Sequence, residues 1–143
     1  METKFFDHLP EYSKDIRTKV FMEEQGFEQE FDDIDEISTH IVLFVGNKPI
    51  ATCRFFYSDV RGCHVIGRIA VRKEYRGHNY GAALVREAER VIAKQGAKLI
   101  GLSAQKQAIP FYRKMGYALV GDTYLVEGCP HIWMEKEMDS CEH

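Results

Sequence analysis

One stretch of the sequence, residues 67–84, constrains the fold more than any other part of the chain. It begins with three apolar residues, Ile69, Ala70 and Val71, which are typical of a strand. From Leu84 onward, apolar residues recur at helical spacing, which predicts an amphipathic helix. A short basic turn joins the two segments. The stretch therefore predicts a strand, a tight turn and the start of a helix in direct succession.

The turn between this strand and this helix has the properties of an anion-binding site. Its residues are Arg76, Gly77, His78, Asn79, Tyr80, Gly81 and Ala82. The first N–H groups of a helix have no partner inside the helix, and the helix dipole makes this end positive. The backbone of the turn can therefore donate hydrogen bonds to a phosphate, and the two glycines keep side chains out of its way.

Two common phosphate-binding loops do not fit this turn. A P-loop requires Gly-Lys-Ser/Thr, but Gly81 is followed by two alanines, and the dinucleotide pattern Gly-x-Gly-x-x-Gly is also absent. The turn instead resembles the acyl-CoA loop of the GNAT superfamily of N-acetyltransferases, Arg/Gln-x-x-Gly-x-Gly/Ala. Asn79 stands where that family usually has glycine. Asparagine is the non-glycine residue that best tolerates a left-handed backbone, so the turn can keep its conformation.

A second motif of the same superfamily follows about 30 residues later. After a strand predicted at 98–103, Gln105 precedes a short helix that contains Ala108 and Phe111-Tyr112 and ends at Gly116-Tyr117. This run resembles the GNAT pattern of Asn or Gln after the strand, then Ala, Phe-Tyr and Gly-Phe/Tyr. The resemblance covers nearly the whole chain. Weaker motifs at 17–25 and 128–131 resemble a bacterial branch of small GNAT proteins whose substrates are mostly unassigned.

The other segments complete this architecture. A helix is predicted from Pro10 to Glu24, with Ser13 as a candidate N-cap. Strands are predicted at 4–6, 40–45, 50–57, 63–71, 98–103, 118–121 and 132–137. We therefore expect one α/β domain over residues 1–143, with a GNAT-like mixed, mainly antiparallel sheet of six to seven strands flanked by helices. The end of the chain, 140–143, is expected to be frayed.

Composition agrees with an enzyme or binding domain of this size. The 143 residues are 45% hydrophobic, yet no apolar run approaches the roughly 20 residues of a membrane helix. With no visible signal peptide, we expect a cytoplasmic protein with no membrane partner. The four cysteines form no C-x-x-C pair and no cluster with histidines, so no metal site is expected. The sequence is compatible with a monomer and with a homodimer.

Charge is distributed unevenly along the chain. Residues 61–114 carry 12 basic and 3 acidic side chains, whereas eight carboxylates lie between Glu23 and Glu36. The basic segment suits an anionic cofactor. A nucleic-acid surface is disfavoured because several of these charges fall on the solvent face of a helix and the chain as a whole is acidic. The acidic stretch is either a solvated loop or a rim that attracts a cationic acceptor.

The resemblance implies acetyl-CoA as the donor substrate, with its pyrophosphate on the Arg76–Ala82 turn. In the family, the strand that corresponds to Ile69, Ala70 and Val71 splays from its neighbour. Its backbone would then bind pantetheine and donate to the thioester oxygen. Gln105 would either bond to pantetheine or serve as a loop residue.

The resemblance also implies roles in proton transfer. Tyr112 matches the position of the acid that protonates the leaving thiolate; its alternative is a tyrosine that packs the short helix on the sheet. Glu24 and His131 are candidate bases for the attacking amine. Their alternatives are a helix-end charge and a partly buried, hydrogen-bonded histidine.

The expected activity is acetyl transfer to a primary amine of a small molecule or peptide, by direct attack in a ternary complex. The amine acceptor is expected to be cationic. A non-catalytic acyl-CoA sensor or partner-binding module is the alternative. It would keep the donor site and lack turnover.

Overall fold

The computed structural model describes residues 1–28 and 30–138. The chain end at 140–143, which was expected to be frayed, lies outside the described residues. The chain divides into two compact units. Unit 1 comprises Met1–Phe56 and Ile66–Arg90, and unit 2 comprises Tyr57–Val65 and the chain from Val91 onward. The single domain expected from the length stays a prediction.

Seven strands form one sheet. They are β1 (Glu2–Phe6), β2 (Thr39–Val45), β3 (Lys48–Ser58), β4 (Cys63–Val71), β5 (Leu99–Gln105), β6 (Ala118–Val126) and β7 (Cys129–Glu137). Their order is β1-β2-β3-β4-β5-β7-β6. β4 and β5 pair in parallel, whereas β1 with β2, β2 with β3, β5 with β7 and β6 with β7 pair antiparallel. The predicted mixed, mainly antiparallel sheet flanked by helices is confirmed, with seven strands.

Four α-helices accompany the sheet in the described part of the chain. They are α1 (Glu11–Arg17), α2 (Ile34–Ile37), α3 (Tyr80–Lys94) and α4 (Ile109–Lys114). Short 3-10 helices at Lys73–Tyr75 and Lys106–Ala108 precede α3 and α4. The helix predicted on α3 begins within the expected range and ends before Gly96, whose φ of 87° is typical of a residue that terminates a helix.

The first predicted helix forms, but its second half is a π-helix, Thr18–Glu24. The amide of Gln25 donates to the carbonyl of Val20 at 3.1 Å, five residues back. Such turns are rare and are often found at functional sites. The predicted N-cap was wrong: α1 begins at Glu11 after Pro10, and Ser13 is buried inside the helix with its hydroxyl 2.7 Å from that of Thr52.

The C-terminal hairpin is longer than predicted. β6 and β7 extend to a turn at Glu127 and Gly128, where both residues have positive φ, 47° and 79°. Two left-handed residues give a turn whose twist matches that of the strands, so pairing continues to its base. The sequence had predicted that His131 lies in the link between two strands. This prediction was wrong, because His131 lies within β7.

Each unit has its own buried residues. In unit 1, one face of α1 and the π-helix packs on β2 and β4 through a cluster of apolar side chains: Ile16, Val20, Phe21, Val42, Phe44 and Ala70. In unit 2, Trp133 lies across β5 where Gly101 has no side chain, since a Cβ there would come within 2.2 Å of the indole. Arg61 covers that ring from 3.8 Å.

Candidate active site

The turn before α3 has a left-handed backbone at two positions. Gly77 has a φ of 85° and Asn79 a φ of 65°, which confirms the conformation predicted for Asn79. α3 begins at Tyr80, and the amide of Ala83 donates to the carbonyl of Asn79 at 3.1 Å. The amides of the first turn of α3 have no carbonyl four residues back within the helix. The turn thus has the donors that an anion requires.

Aromatic rings surround this turn. The ring of Tyr80 lies 6.0 Å from that of His78 and 6.4 Å from that of Tyr75, measured between centroids. A Cβ built on Gly77 would meet no atom within 4 Å, so its positive φ, and not crowding, favours glycine there.

The side chain of Arg76 is held by a carboxylate from the end of the π-helix. Its two terminal nitrogens donate to the carboxylate oxygens of Glu24 at 2.6 and 2.7 Å, and its Nε donates to the carbonyl of Val71 at 2.9 Å. The pair is partly exposed, with relative side-chain exposures of 40% and 35%. Two residues predicted for different roles, cofactor binding and base catalysis, are therefore bonded to each other.

This pairing lowers the pKa of the Glu24 carboxyl, chiefly through the hydrogen bonds from Arg76. The same bonds raise the pKa of Arg76. A carboxylate with a lowered pKa accepts a proton less readily than an ordinary glutamate. Glu24 is therefore a poor base for as long as Arg76 stays on it.

A second group of arginines and carboxylates involves the rest of the acidic stretch. Most of this group is buried, although Arg68 and Asp32 keep 30% and 37% of their side chains exposed. Arg17, only 1% exposed, donates to Glu30 Oε2 at 3.0 Å and to Asp35 Oδ1 at 2.7 Å. Arg54 of β3 donates to Asp32 Oδ1 at 2.6 Å and to Asp35 Oδ1 at 2.9 Å. Arg68 of β4 also contacts Glu30 and Asp32. We call these three arginines and three carboxylates the arginine cluster.

The arginine cluster changes the interpretation of the acidic stretch. At least five of its eight carboxylates form ion pairs with protein cations: Glu23, Glu24, Glu30, Asp32 and Asp35. Burial alone would raise the pKa of Asp35, but hydrogen bonds and charge from Arg17 outweigh it and bring this pKa to about 2. In Glu30, burial prevails and raises the pKa. Much of the stretch is thus neither a solvated loop nor an open acidic rim.

In unit 2, the second motif places Gln105 and Tyr112 on neighbouring elements. Gln105 is the last residue of β5, and its side-chain Oε1 accepts a hydrogen bond from the side-chain Nε2 of Gln107 at 2.5 Å. Tyr112 is buried in α4, with its ring edge-to-face against Phe111 at 5.0 Å and Tyr117 at 6.0 Å. The ring therefore packs against its own helix and against Tyr117, which follows that helix. The role of the Tyr112 hydroxyl as an acid stays a prediction.

The hydrogen bond of His131 determines which ring nitrogen carries its proton. Its Nδ1 lies 2.9 Å from the carbonyl oxygen of Cys129. A carbonyl oxygen only accepts, so in the neutral ring Nδ1 must donate and Nε2 keeps the lone pair. A neutral His131 in this tautomer is a proton acceptor at Nε2, which is the chemistry that a general base needs.

Tyr124, which contacts His131, and Ser103, which contacts Tyr124, were missed from the sequence. Tyr124 stacks on the imidazole, with centroids 6.2 Å apart and planes at 24°, and its hydroxyl hydrogen-bonds to that of Ser103. Tyr124 is the direct cross-strand partner of His131, and Gln105 is its partner on the other side. If Glu127 and Gly128 are recognised as a two-residue hairpin turn, counting outward from it pairs Tyr124 with His131. The sequence of the turn therefore contained the information needed to find Tyr124.

Two further features, a metal-binding group and a membrane-spanning helix, are absent from residues 1–28 and 30–138. These residues hold no group of three or more His, Cys, Asp or Glu side chains arranged to bind a metal ion. No helix in that part of the chain is long and apolar enough to span a membrane.

The strand, turn and helix around Asn79, in a seven-stranded sheet of this order, define an acyltransferase fold. The Acetyltransferase (GNAT) family matches residues 5–117 of the chain. The chain therefore belongs to the GNAT family, and it is an acyltransferase of the kind that takes its acyl group from acyl-CoA.

Relatives and solved structures agree with this assignment. The Bacillus subtilis protein named Uncharacterized N-acetyltransferase YjcF is 36% identical over 125 residues, which is 85% of this chain and 88% of the relative. The crystal structure of Escherichia coli ElaA superposes with a TM-score of 0.85 at 27% identity, over 95% of this chain and 99% of that one. An acyl-CoA N-acyltransferase from Pseudomonas aeruginosa gives a TM-score of 0.82 at 26% identity, over 94% and 98% of the two chains.

Proposed function

We propose that the protein transfers an acetyl group from acetyl-CoA to a primary amine of a small molecule or peptide, by direct attack in a ternary complex. The observation that carries this proposal is the left-handed turn at Gly77 and Asn79, which directly precedes the first amides of α3 in a chain of the GNAT family. A pyrophosphate is a dianion of the size that such a helix start binds.

The donor would use three groups of residues. The amides from Arg76 to Ala82, with the rings of His78 and Tyr80 beside them, would hold the pyrophosphate end. The backbone of Ile69, Ala70 and Val71 would bond to pantetheine and polarise the thioester carbonyl. Gln105 would bond to the pantetheine amides. The support for the last two assignments is their position in the family's motifs.

The chemistry requires one bond to form and one to break. The amine nitrogen attacks the thioester carbon to form the C–N bond, the C–S bond breaks, and the thiolate of CoA takes a proton from the hydroxyl of Tyr112. The former amine nitrogen loses one proton as it becomes an amide, and that proton, passed through solvent, restores the Tyr112 hydroxyl. The amine arrives as an ammonium ion, because primary amines have pKa values near 10, so it must first lose a proton. This also makes the acceptor a cation at neutral pH.

We assign the removal of that proton to Nε2 of His131, because the bond from Nδ1 to Cys129 leaves the lone pair there. Glu24 is assigned as a carboxylate that attracts the ammonium ion once Arg76 has moved from it to the CoA phosphates. While the pair persists, the hydrogen bonds from Arg76 lower the pKa of Glu24 and make it a weak base. The imidazolium formed on His131 returns its proton to solvent after each turnover.

A panel of primary amines, with release of free CoA thiol as the readout, tests the activity. Some polyamine, amino sugar, lysine or peptide N-terminus should give turnover that depends on acetyl-CoA. Micromolar binding of CoA with no turnover of any amine would favour the non-catalytic sensor instead. Failure to bind CoA at all would overturn the donor assignment.

Variants then test the assigned roles. Tyr112→Phe removes only the hydroxyl, so kcat should fall by about 10² to 10⁴ while CoA affinity stays near wild type. His131→Gln should lower kcat with the same split. Tyr57→Phe is a matched control, because this exposed tyrosine has no role in the proposal. Full activity of Tyr112→Phe would leave that residue with its packing role alone.

A further inference from the structure

Arg68 has a backbone conformation that is unusual for a residue inside a strand. Its φ is 51°, in the left-handed region. The other two described non-glycine residues with positive φ, Asn79 and Glu127, lie in turns. A long side chain is sterically disfavoured at such angles, and the conformation persists only where surrounding contacts hold it.

Those contacts come from the segment before α2. The Nε of Arg68 lies 2.9 Å from Glu30 Oε2 and donates to the Glu30 carbonyl at 3.1 Å, and its Nη2 donates to Asp32 Oδ2 at 3.2 Å. Three acceptors on two residues fix the direction of the guanidinium and, through it, the position of the Arg68 main chain.

The segment that holds Arg68 is itself anchored. Arg17 of α1 donates to both the carboxylate and the carbonyl of Glu30, at 3.0 Å each. Arg54 of β3 makes two bonds to the Asp32 carboxylate, at 2.6 and 3.2 Å. Glu30 is therefore held by α1 and Asp32 by β3. We call these two residues, Glu30 and Asp32, the bracket, and Arg68 connects the bracket to β4.

The irregularity at Arg68 immediately precedes the part of β4 assigned to the donor. The alternation of burial along β4 is already broken before Arg68, since the adjacent residues Val65 and Ile66 are both buried and the next buried residue is Ala70. Ala70 then packs in the apolar cluster of unit 1. A left-handed residue inside a strand re-aims the backbone groups that follow it, as the left-handed residue of a β-bulge does.

We propose that Arg68 is a positioning residue for the acyl donor: its bonds to Glu30 and Asp32 hold β4 in the left-handed conformation that directs the backbone of Ile69, Ala70 and Val71 toward pantetheine. This rests on the proposed function, since the donor is taken to be an acyl-CoA. The pyrophosphate site at the start of α3 does not depend on Arg68.

The test compares the binding of two ligands to the protein by calorimetry. CoA carries pantetheine, whereas adenosine 3′-phosphate 5′-diphosphate is the same molecule without it. Arg68→Ala should weaken CoA binding by about tenfold or more, because small misplacements of binding groups are costly, and leave the fragment's affinity unchanged. Arg68→Gly should recover most of the CoA affinity, because glycine adopts a left-handed backbone without the steric penalty.

Two further variants complete the experiment. Arg90→Ala removes an exposed arginine that pairs with Glu87 on α3, and it should change neither affinity. Asp32→Asn keeps Arg68 but weakens its bond to residue 32. This variant should therefore also lower the affinity for CoA relative to the affinity for the fragment. An equal loss of both ligands, an unchanged ratio in Arg68→Ala and Asp32→Asn, or an equal loss in the Ala and Gly variants would overturn the proposal. If wild-type protein binds the fragment but not CoA, the proposed function fails first.

Discussion

The two ends of the acidic stretch both form arginine–carboxylate ion pairs, but the pairs at one end are buried and the pair at the other end is exposed. Arg17 pairs with Glu30 and Asp35 in the interior, where its side chain is 1% exposed. Arg76 pairs with Glu24 at the surface, where its side chain is 40% exposed. Distances do not distinguish them: Arg17 reaches Asp35 at 2.7 Å and Arg76 reaches Glu24 at 2.6 Å. Burial is the variable that differs.

Burial decides what each pair can do. A buried pair is costly to break, because the remaining charge has no solvent to replace its partner, whereas an exposed pair is weak and exchanges partners with water and ions. The buried pairs of Arg17 with Glu30 and Asp35 are therefore suited to hold α1 against the segment before β2. The pair of Arg76 and Glu24 is suited to open when an anion reaches the turn.

The largest effect is expected from removing the buried arginine. Arg17→Ala should lower the free energy of unfolding by about 3–5 kcal/mol, because Glu30 and Asp35 lose a buried partner. Urea denaturation followed by circular dichroism measures this. Arg76→Ala is the matched control, and its loss should stay within about 1 kcal/mol. Equal losses in the two variants would remove the distinction between the regions.

Acid unfolding should sharpen the same comparison with a smaller effect. The pKa of Asp35 is lowered to about 2 in the folded state from 3.8. A lowered carboxyl pKa stabilises the fold above the unfolded value, so this contribution, about 2 kcal/mol, should vanish as pH falls from 3.8 toward 2. Glu30 has a raised pKa, so its contribution has the opposite sign and partly offsets this loss.

Asp35→Asn should therefore flatten the fall in stability between about pH 4 and pH 2. Glu24→Gln should leave that slope intact, because its carboxylate is partly exposed and solvent screens its interaction with Arg76. The measurement is urea denaturation at a series of pH values. An unchanged slope in Asp35→Asn would show that other carboxyl groups dominate acid unfolding.

The sequence was sufficient where neighbours in the chain determine structure. The strand, turn and helix around Asn79 follow from local periodicity and from the backbone freedom of asparagine and glycine. The π-helix did not follow, because its apolar residues Val20 and Phe21 fit an α-helical pattern equally well. The parallel pairing of β4 and β5 followed from the helix that connects them.

The arginine cluster was not predictable for a different reason. Its contacts join residues far apart in sequence: Arg17 and Glu30 are separated by 13 positions, and Arg68 and Glu30 by 38. A run of carboxylates has the same composition whether solvent or arginine neutralises it. The link between Glu24 and Arg76, across 52 positions, was hidden for the same reason.

The smallest expected effect concerns that exposed link, and it connects the pair to the donor. Glu24→Gln should change the free energy of unfolding by less than about 1 kcal/mol, as is usual for exposed pairs. It should also raise CoA affinity, by up to about fivefold, because the guanidinium of Arg76 no longer has to leave a carboxylate before it meets a phosphate. Calorimetry with CoA at low salt measures the gain.

Glu23→Gln is the control that separates this local effect from a general change in charge. It removes the same charge one residue earlier, where Glu23 lies 3.9 Å from Lys19 and has no role in the proposed competition for Arg76. If competition for Arg76 is the cause, Glu24→Gln should bind CoA more tightly than Glu23→Gln. The difference should also shrink as salt rises, since ions screen the exposed pair in the wild-type protein over about 8 Å at physiological ionic strength. Equal affinities in the two variants would mean that Arg76 stays on Glu24 when CoA binds, and that the surface pair is as fixed as the buried one.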